Sequence, residues 1–363
     1  MGESPAHLPP SRRPGHRNPG GQQRPRTAEP RPPEPRAPRH HPGLYAALDL
    51  GTNNCRLLIA RPQREGFAVV DAFSRIVRLG EGLASSGRLS DAAIERTIAA
   101  LRICADKLRR RQVTLARSVA TEACRRAANG AAFIARVQEE TGIRLDIISA
   151  EEEARLAVLG CHNLLEAGDG PALVFDIGGG STELVLIDGH ADSFRVLDWH
   201  SAPWGVVSLT EAHGGGDGTD GPARAAAYRR MREVASAAFA PFAARLDARG
   251  IADGPPLRML GTSGTVTTLA SVHLALASYD RAQVDGLTVS ADAMRAISTR
   301  LAGLDLNDRA AIPCIGQERA DLVVAGCAIL ESILDLWPAE RLGVADRGIR
   351  EGILRRLMQG GTA

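Results

Sequence analysis

The sequence contains one pattern twice, and this repeat limits the folds open to the chain more than any other feature. In the first copy Asp49 ends an apolar run, a glycine follows two residues later, and an apolar run resumes at Leu57. In the second copy Asp176 ends the run, Gly178 follows, and Leu184 begins the next run. Duplication of a unit that opens with a β-hairpin explains this repeat. Strand signals alternate with helical segments along the body, which predicts an α/β fold.

The turns inside the two hairpins are suited to phosphate. Glycine adopts positive φ and lets backbone N–H groups converge on an anion, while an aspartate at the strand end can hold Mg²⁺ or its waters. Either turn alone is as typical of a purely structural hairpin as of a phosphate site. Two such turns facing each other predict a site that binds a phosphate chain from both sides. A third small-residue turn, from Gly261 to Thr265, precedes a helical segment and predicts another anion site at a helix N-terminus.

Residues 1–42 differ in composition from the rest of the chain. They hold 12 of the 21 prolines, eight arginines and three glutamates, with almost no aliphatic residues. Such a segment buries too little apolar surface to offset chain entropy, so we predict a disordered tail with polyproline character. The tail is either a solvated extension or an electrostatic arm for polyanions. Because the basic charge belongs to the tail, the body gives no indication of nucleic-acid binding.

Composition also limits the expected cellular location of the protein and the partners that it can bind. No apolar run approaches the roughly 18 residues that a membrane helix needs. The six cysteines form no CxxC pair and no metal-ligand spacing, which is typical of buried or free thiols in a reducing cytosol. We therefore expect a cytoplasmic protein with no membrane partner and no specific nucleic-acid partner, and we leave a homodimer open.

The motifs resemble those of the exopolyphosphatase/guanosine pentaphosphate phosphatase (Ppx/GppA) family, in the superfamily of actin, sugar kinases and heat-shock ATPases. The resemblance rests on both hairpins, on the third turn, and on segments at 121–125, 148–156, 318–319 and 350–352. It covers about residues 44–358 and implies two duplicated actin-like, ribonuclease-H-like domains with a cleft between them. We expect domain I at 43–149, which the C-terminal helix at 348–360 can complete, and domain II at 150–347.

The segment from Ser149 to Leu156 separates this family from the kinases and chaperones of the superfamily. By their own chemistry Ser149 is an N-cap and Glu152 its capping-box partner, while Glu151 favours the positive end of the helix. Glu153 has no such capping role. By the resemblance, Glu153 falls on the catalytic glutamate that activates water for attack on the terminal phosphoryl group, which suits a carboxylate within reach of that water.

The resemblance also assigns roles to two arginines and to three further acids. Arg125 and Arg319 match arginines around the phosphate chain, where the planar guanidinium binds two oxygens at once; without the resemblance, both are more typical of surface ion pairs. Glu183 joins Glu153 as a catalytic acid, and Asp49 and Asp176 are expected to hold Mg²⁺ or Mn²⁺. The expected phosphate-binding residues are Gly51, Thr52, Asn53, Arg125, Gly178, Gly179, Gly180, Ser181, Gly261, Ser263, Gly264 and Arg319.

The implied function is Mg²⁺-dependent release of terminal phosphate from inorganic polyphosphate. The alternative is the same chemistry on guanosine pentaphosphate (pppGpp), and a remoter one is an ATP-dependent kinase or actin-like protein, which would not present Glu153 to the phosphates. A further alternative is a protein that binds polyanions without catalysis, and only the basic tail supports it. The chain departs from the family at Asn54, where serine is usual, and it lacks the C-terminal helical region of the longer members, which favours shorter polyphosphates.

Overall fold

Two mixed β-sheets with the same strand order form the framework of the molecule. The computed structural model describes residues 43–190, 193–214, 220–251, 254 and 256–360, so the predicted tail at 1–42 lies outside the described residues. The strands are β1 (Tyr45–Leu50), β2 (Asn54–Pro62), β3 (Phe67–Ile76), β4 (Leu115–Ala120), β5 (Leu145–Ile147), β6 (Ala172–Ile177), β7 (Thr182–His190), β8 (Ser193–Ala202), β9 (Arg258–Thr262), β10 (Thr288–Ser290) and β11 (Arg341–Ala345).

Helices cover the faces of both sheets and connect their parallel strands. They are α1 (Leu83–Ser86), α2 (Asp91–Arg110), α3 (Glu122–Arg126), α4 (Gly130–Thr141), α5 (Ala150–Cys161), α6 (Val206–His213), α7 (Gly221–Asp247), α8 (Gly264–His273), α9 (Arg281–Val284), α10 (Ala291–Gly303), α11 (Leu306–Ala310), α12 (Gln317–Ala320), α13 (Val323–Leu336) and α14 (Ile349–Met358). None of the described helices combines the length and the apolar character that a membrane crossing requires.

The strand order confirms the predicted duplication. The first sheet runs β3-β2-β1-β4-β5, and the second runs β8-β7-β6-β9-β11-β10. Each opens with an antiparallel meander and continues into parallel strands, with β10 antiparallel at the edge of the second sheet. Asp49 pairs with Arg56 across the first hairpin, and Asp176 pairs with Glu183 at the same offset across the second. The α/β fold of two repeated units is therefore confirmed.

Contacts with the first hairpin turn end strand β3 at Ile76. The stretches at 67–73 and 75–79 each suggest a strand, but β3 is a single strand that stops at Ile76. The N–H groups of Val77 and Arg78 both donate to the carbonyl oxygen of Asn53, at 2.8 and 3.0 Å. Because these donors turn to the first hairpin turn, they no longer extend the sheet ladder.

The last helix completes the core of the first sheet. One face of that sheet packs on α2 and α4. On the other face Tyr45, Leu58 and Val119 pack with residues of α5 and α14, among them Leu156 and Ile353. Residues from 43 onward belong to one compact unit, and the domain boundary between 149 and 150 stays a prediction.

Helices α5 and α14 meet backbone to backbone at two glycines. A Cβ on Gly160 would lie 1.9 Å from the carbonyl oxygen of Gly348, and a Cβ on Gly352 would lie 2.1 Å from that of Leu156. No other residue fits at these distances. The contact fixes the position of α5, the helix that carries Glu153.

Candidate active site

A cavity between the two sheets collects most of the residues that the sequence predicts for the site. Its walls come from both hairpin turns, from the third turn, and from α5 and α12. The predicted residues that line it are Asp49, Gly51, Thr52, Asn53, Glu153, Asp176, Gly178, Gly179, Ser181, Glu183, Ser263, Gly264 and Arg319. Three others, Arg125, Gly180 and Gly261, are not among its lining residues.

The two hairpin turns share one geometry and contact each other. Gly51 N–H donates to the Asn54 carbonyl at 2.9 Å, and Gly178 N–H donates to the Ser181 carbonyl at 3.0 Å. A Cβ on Gly180 would lie 2.7 Å from Thr52 Oγ1. Gly180 therefore allows the turns to pack together, and its contact with phosphate stays a prediction.

The third turn combines a strained residue with a helix N-terminus. Ser263 has a φ of 78°, unusual for a residue with a side chain. Its Oγ donates to the Ile177 carbonyl at 2.6 Å, so it ties the third turn to the end of β6. Gly261 lies inside β9, where a Cβ would come within 2.7 Å of Phe175 and Val266. Gly261 therefore has a packing role, and its contact with phosphate stays a prediction.

The strand-end aspartates lie in the cavity wall, and the carboxylate of Asp49 is incompletely satisfied. Burial raises the pKa of Asp49, and it raises that of Asp176 to about 6 against the hydrogen bond from Ser263. Asp49 Oδ1 and Asn53 Oδ1 are buried without a hydrogen-bond partner. Within the described ranges no three His, Cys, Asp or Glu side chains cluster to form a closed metal site.

Glu153 is buried at the start of α5 and is held by Arg125. Arg125 Nη1 donates to Glu153 Oε2 at 3.0 Å and to the Ile148 carbonyl at 2.8 Å, while Nη2 donates to Glu122 Oε2 at 2.5 Å. Burial, and then the charge of Glu183, raise the pKa of Glu153 well above its ordinary value, while Arg125 lowers it. Arg125, which is predicted to bind phosphate, thus pairs with Glu153 and lies outside the cavity lining.

Glu183 is the second acid of the site. It extends from β7 and accepts a hydrogen bond from Ser201 Oγ at 2.9 Å. Burial, followed by the charge of Asp176, raises the pKa of Glu183 to about 7. Buried carboxyl groups whose pKa values are raised by burial and by a neighbouring acid are typical of acid–base sites.

The capping box predicted at α5 is wrong in one member. Ser149 does cap the helix, since its Oγ accepts from the Glu152 N–H at 3.2 Å. The Glu152 carboxylate instead accepts hydrogen bonds from Arg117 at 2.7 Å and from Arg356 at 3.1 Å. Two guanidinium groups are stronger partners for a carboxylate than one backbone N–H.

Two arginines of the site were not predicted as ligands. Arg56 lines the cavity and favours the ionised forms of Asp49 and Asp176. Arg350, at the start of α14, adjoins the same two aspartates from a smaller neighbouring cavity. The repeat could have identified Arg56 as a site residue. Arg56 pairs with Asp49 in the first hairpin as Glu183 pairs with Asp176 in the second.

Comparison with known proteins agrees with this architecture. The pattern of the Ppx/GppA phosphatase family matches residues 58–360. Exopolyphosphatase 2 of Mycobacterium tuberculosis is 31% identical over 321 residues, 85% of this chain and 96% of the relative. A guanosine-5'-triphosphate,3'-diphosphate pyrophosphatase of Aeromonas hydrophila is 30% identical over 319 residues, 88% of this chain but 60% of the relative, so the chain spans less than two thirds of that protein.

Comparison with a solved structure also places the fold of this chain among those of the Ppx/GppA family. The crystal structure of the Ppx/GppA family member of Aquifex aeolicus matches with a TM-score of 0.70 and 27% identity, over 88% of this chain and 99% of that one. The family match begins within β2 and ends after α14. It therefore includes Arg125, Glu153 and the second and third turns.

Proposed function

Because the chain belongs to the Ppx/GppA phosphatase family, we propose that it hydrolyses phosphoric anhydrides and releases the terminal phosphoryl group of inorganic polyphosphate. The observation that carries the proposal is a buried carboxylate, Glu153, in the wall of a cavity whose other walls are two glycine turns and arginines. Kinases need no base aimed at water beside their phosphates, so this arrangement favours hydrolysis.

The chemistry follows from the positions of the charges. The glycine turns, the N-terminus of α8, Arg56 and Arg319 supply donors and positive charge to phosphate oxygens. Glu153 accepts a proton from the attacking water as the new P–O bond forms, and the bridging P–O bond breaks on the opposite side. The shortened polyphosphate is the leaving group, and the turns hold its oxygens while the bond breaks. The terminal phosphoryl group is released as orthophosphate. A base with a raised pKa is well matched to this task near neutral pH.

The residues present also fit a bound Mg²⁺. Asp49 and Asp176 bring two carboxylates to the cavity, and Asp49 Oδ1 and Asn53 Oδ1 lack partners. Mg²⁺ keeps several waters and takes one or two carboxylates together with substrate phosphates, which is what this donor set offers. When bound, the ion neutralises charge on the phosphate oxygens. Mn²⁺ has the same preference for oxygen ligands.

Hydrolysis of pppGpp is the second candidate. It is supported by the similarity to the Aeromonas hydrophila pyrophosphatase, and the same base and turns would act on its 5'-terminal phosphoryl group. We give polyphosphate priority because the relative that this chain matches over 96% of its length is an exopolyphosphatase. Short chains are the preferred polyphosphate substrate in this proposal.

One assay tests both candidates. Phosphate release from polyphosphates of short and medium length, from pppGpp and from ATP should be measured side by side, with Mg²⁺ and with excess chelator. We expect the highest kcat/KM on short polyphosphate and loss of turnover with chelator. Preference for pppGpp would select the second candidate, and turnover of ATP alone would contradict both.

A further inference from the structure

Arg78 connects the two sides of the cavity without lining it. It follows β3, on the side of the first sheet, and its guanidinium reaches the helix that carries Arg319. Nη1 lies 2.9 Å from Asp321 Oδ2, and Nη2 donates to Asp321 Oδ1 at 3.3 Å and to the Glu318 carbonyl at 3.4 Å. These partners flank Arg319 on both sides in the sequence.

The backbone of Arg78 is anchored to the first phosphate turn. Its φ is 48°, a left-handed conformation that costs energy for a residue with a side chain. That conformation accompanies the paired donation of Val77 N–H and Arg78 N–H to the Asn53 carbonyl. Gly80 N–H then donates to the Thr52 carbonyl at 2.9 Å. The position of Arg78 is therefore tied to the turn itself.

Within the described part of the chain, the Arg319 side chain is held only weakly by its neighbours. Its Nη1 donates to Thr268 Oγ1 at 3.3 Å, which is a long hydrogen bond. The helix that carries it, α12, has only four residues, so its own hydrogen bonds give little rigidity. Buried Ala320 and Leu322 also anchor this segment, and the bidentate contact of Asp321 with Arg78 connects it to the first turn.

From these contacts we infer that Arg78 is a positioning residue that sets Arg319 at the correct distance from the first phosphate turn. A substrate phosphate held at once by the first turn and by Arg319 requires a fixed distance between them. Arg78 is bonded to the first turn and to Glu318 and Asp321, the two neighbours of Arg319 in the sequence. The inference rests on the proposed function, because it assumes that Arg319 binds substrate phosphate in this cavity.

A second contact across the cavity follows closely along the chain. Gly82 N–H donates to Glu211 Oε1 of α6 at 2.8 Å. The N-terminus of α6 in turn holds the second turn, since Val206 N–H donates to the Gly178 carbonyl at 2.9 Å. Residues 78–82 thus join the first turn to elements that position both the second turn and Arg319.

The test is a double-mutant cycle with a ligand-free structural readout. The variants are Arg78→Met, Arg319→Met and their combination, with Arg78→Lys as the conservative change. Arg136→Met is the matched control, because Arg136 is similarly exposed and makes two ion pairs, with Glu95 and Glu140, away from the cavity. Hydrogen exchange at amides 317–322 and kinetics on short polyphosphate are measured for each.

We expect Arg78→Met to lower kcat/KM by about 10- to 100-fold, the scale of a small misplacement of a binding group. The double variant should be no worse than Arg319→Met, and Arg78→Lys should recover part of the loss. Exchange at 317–322 should become faster in Arg78→Met and stay unchanged in Arg136→Met.

Two results would overturn the inference. One is a double variant whose loss equals the product of the two single losses, since Arg78 would then act independently of Arg319. The other is unchanged exchange at 317–322 in Arg78→Met, whatever the activity. Failure of the proposed function is seen separately, as a wild-type protein that hydrolyses none of the substrates, and the exchange experiment still decides whether Arg78 holds α12.

Discussion

Arg125 Nη1 lies 3.0 Å from Glu153 Oε2, so the residue proposed as the base is ion-paired to an arginine 28 positions earlier in the chain. Burial and Glu183 favour the neutral form of Glu153, and Arg125 favours the ionised form. The proton affinity of the base therefore depends on opposing effects from different elements. This balance makes the site sensitive to changes in either partner.

Replacement of the base should stop the chemistry while leaving binding largely intact. Glu153→Gln keeps the shape of the side chain but cannot take a proton, so we expect kcat to fall by about 10²–10⁴-fold. Substrate affinity should change little or rise, because a negative charge beside a polyanion is lost. Glu151→Gln is the control, since Glu151 is exposed on the same helix and pairs only with Arg155 among the ion pairs seen. Near wild-type turnover of Glu153→Gln would refute the assignment.

Loss of Arg125 should change the pH profile. Activity needs ionised Glu153, so the rate rises with pH through the pKa of this group. Arg125 stabilises the ionised form and lowers that pKa, so Arg125→Met should raise it and move the rising limb of kcat/KM to higher pH. Arg126→Met is the control, because Arg126 is more exposed and only approaches Glu122, at 3.8 Å. A uniform loss of rate with an unmoved limb would show that Arg125 does not tune the base.

Removal of the metal should affect both turnover and stability. A ligand that binds only the folded protein stabilises it by about 2.7 kcal/mol at 100 times its Kd, so Mg²⁺ should raise Tm, and chelation should abolish hydrolysis. Asp176→Asn should reduce the Mg²⁺-dependent shift in Tm, whereas Asp188→Asn, on the exposed end of β7, should retain it. Full hydrolysis in excess chelator would contradict the metal assignment.

The contact between α5 and α14 should not tolerate a methyl group. Gly160→Ala and Gly352→Ala place a Cβ against backbone carbonyls that cannot move aside easily, so each should lower the free energy of unfolding by at least about 1–3 kcal/mol. Gly303→Ala is the control, because a Cβ there meets nothing within 4 Å; it should be neutral or stabilising by up to about 1 kcal/mol. Denaturant unfolding of the three variants measures this directly, and equal stability of all three would refute the close contact.

The sequence predicted the parts of the site that are local in the chain. Both turns carry their own signal, since the Asp and Gly positions that make each turn lie within a few residues of one another. The repeat also predicts that the two hairpin turns face each other, because duplicated units place their turns at corresponding strand ends. The hairpin pattern implies that Asp49 and Arg56 lie on neighbouring strands, but it does not indicate a role for the charge of Arg56.

The contacts that fold distant segments together could not be derived in this way. Glu152 carries a capping-box signal, yet its carboxylate pairs with Arg117 and Arg356, which reach it from β4 and α14. Arg78 gives no local sign that it will meet Asp321, 243 residues later. Such pairs depend on how the two sheets sit, and a side chain takes the partner that tertiary packing brings closest.

The shared core of β1 and α14 has a consequence for synthesis on the ribosome. The face of the first sheet formed by Tyr45, Leu58 and Val119 is made early, but part of its cover is α14, and 187 residues separate the end of α5 from the start of that helix. At about 5–20 residues per second this is roughly 10–40 seconds of translation. During that interval the nascent chain exposes the part of this apolar surface that α14 later covers, which makes it a candidate client for chaperones that bind emerging polypeptides.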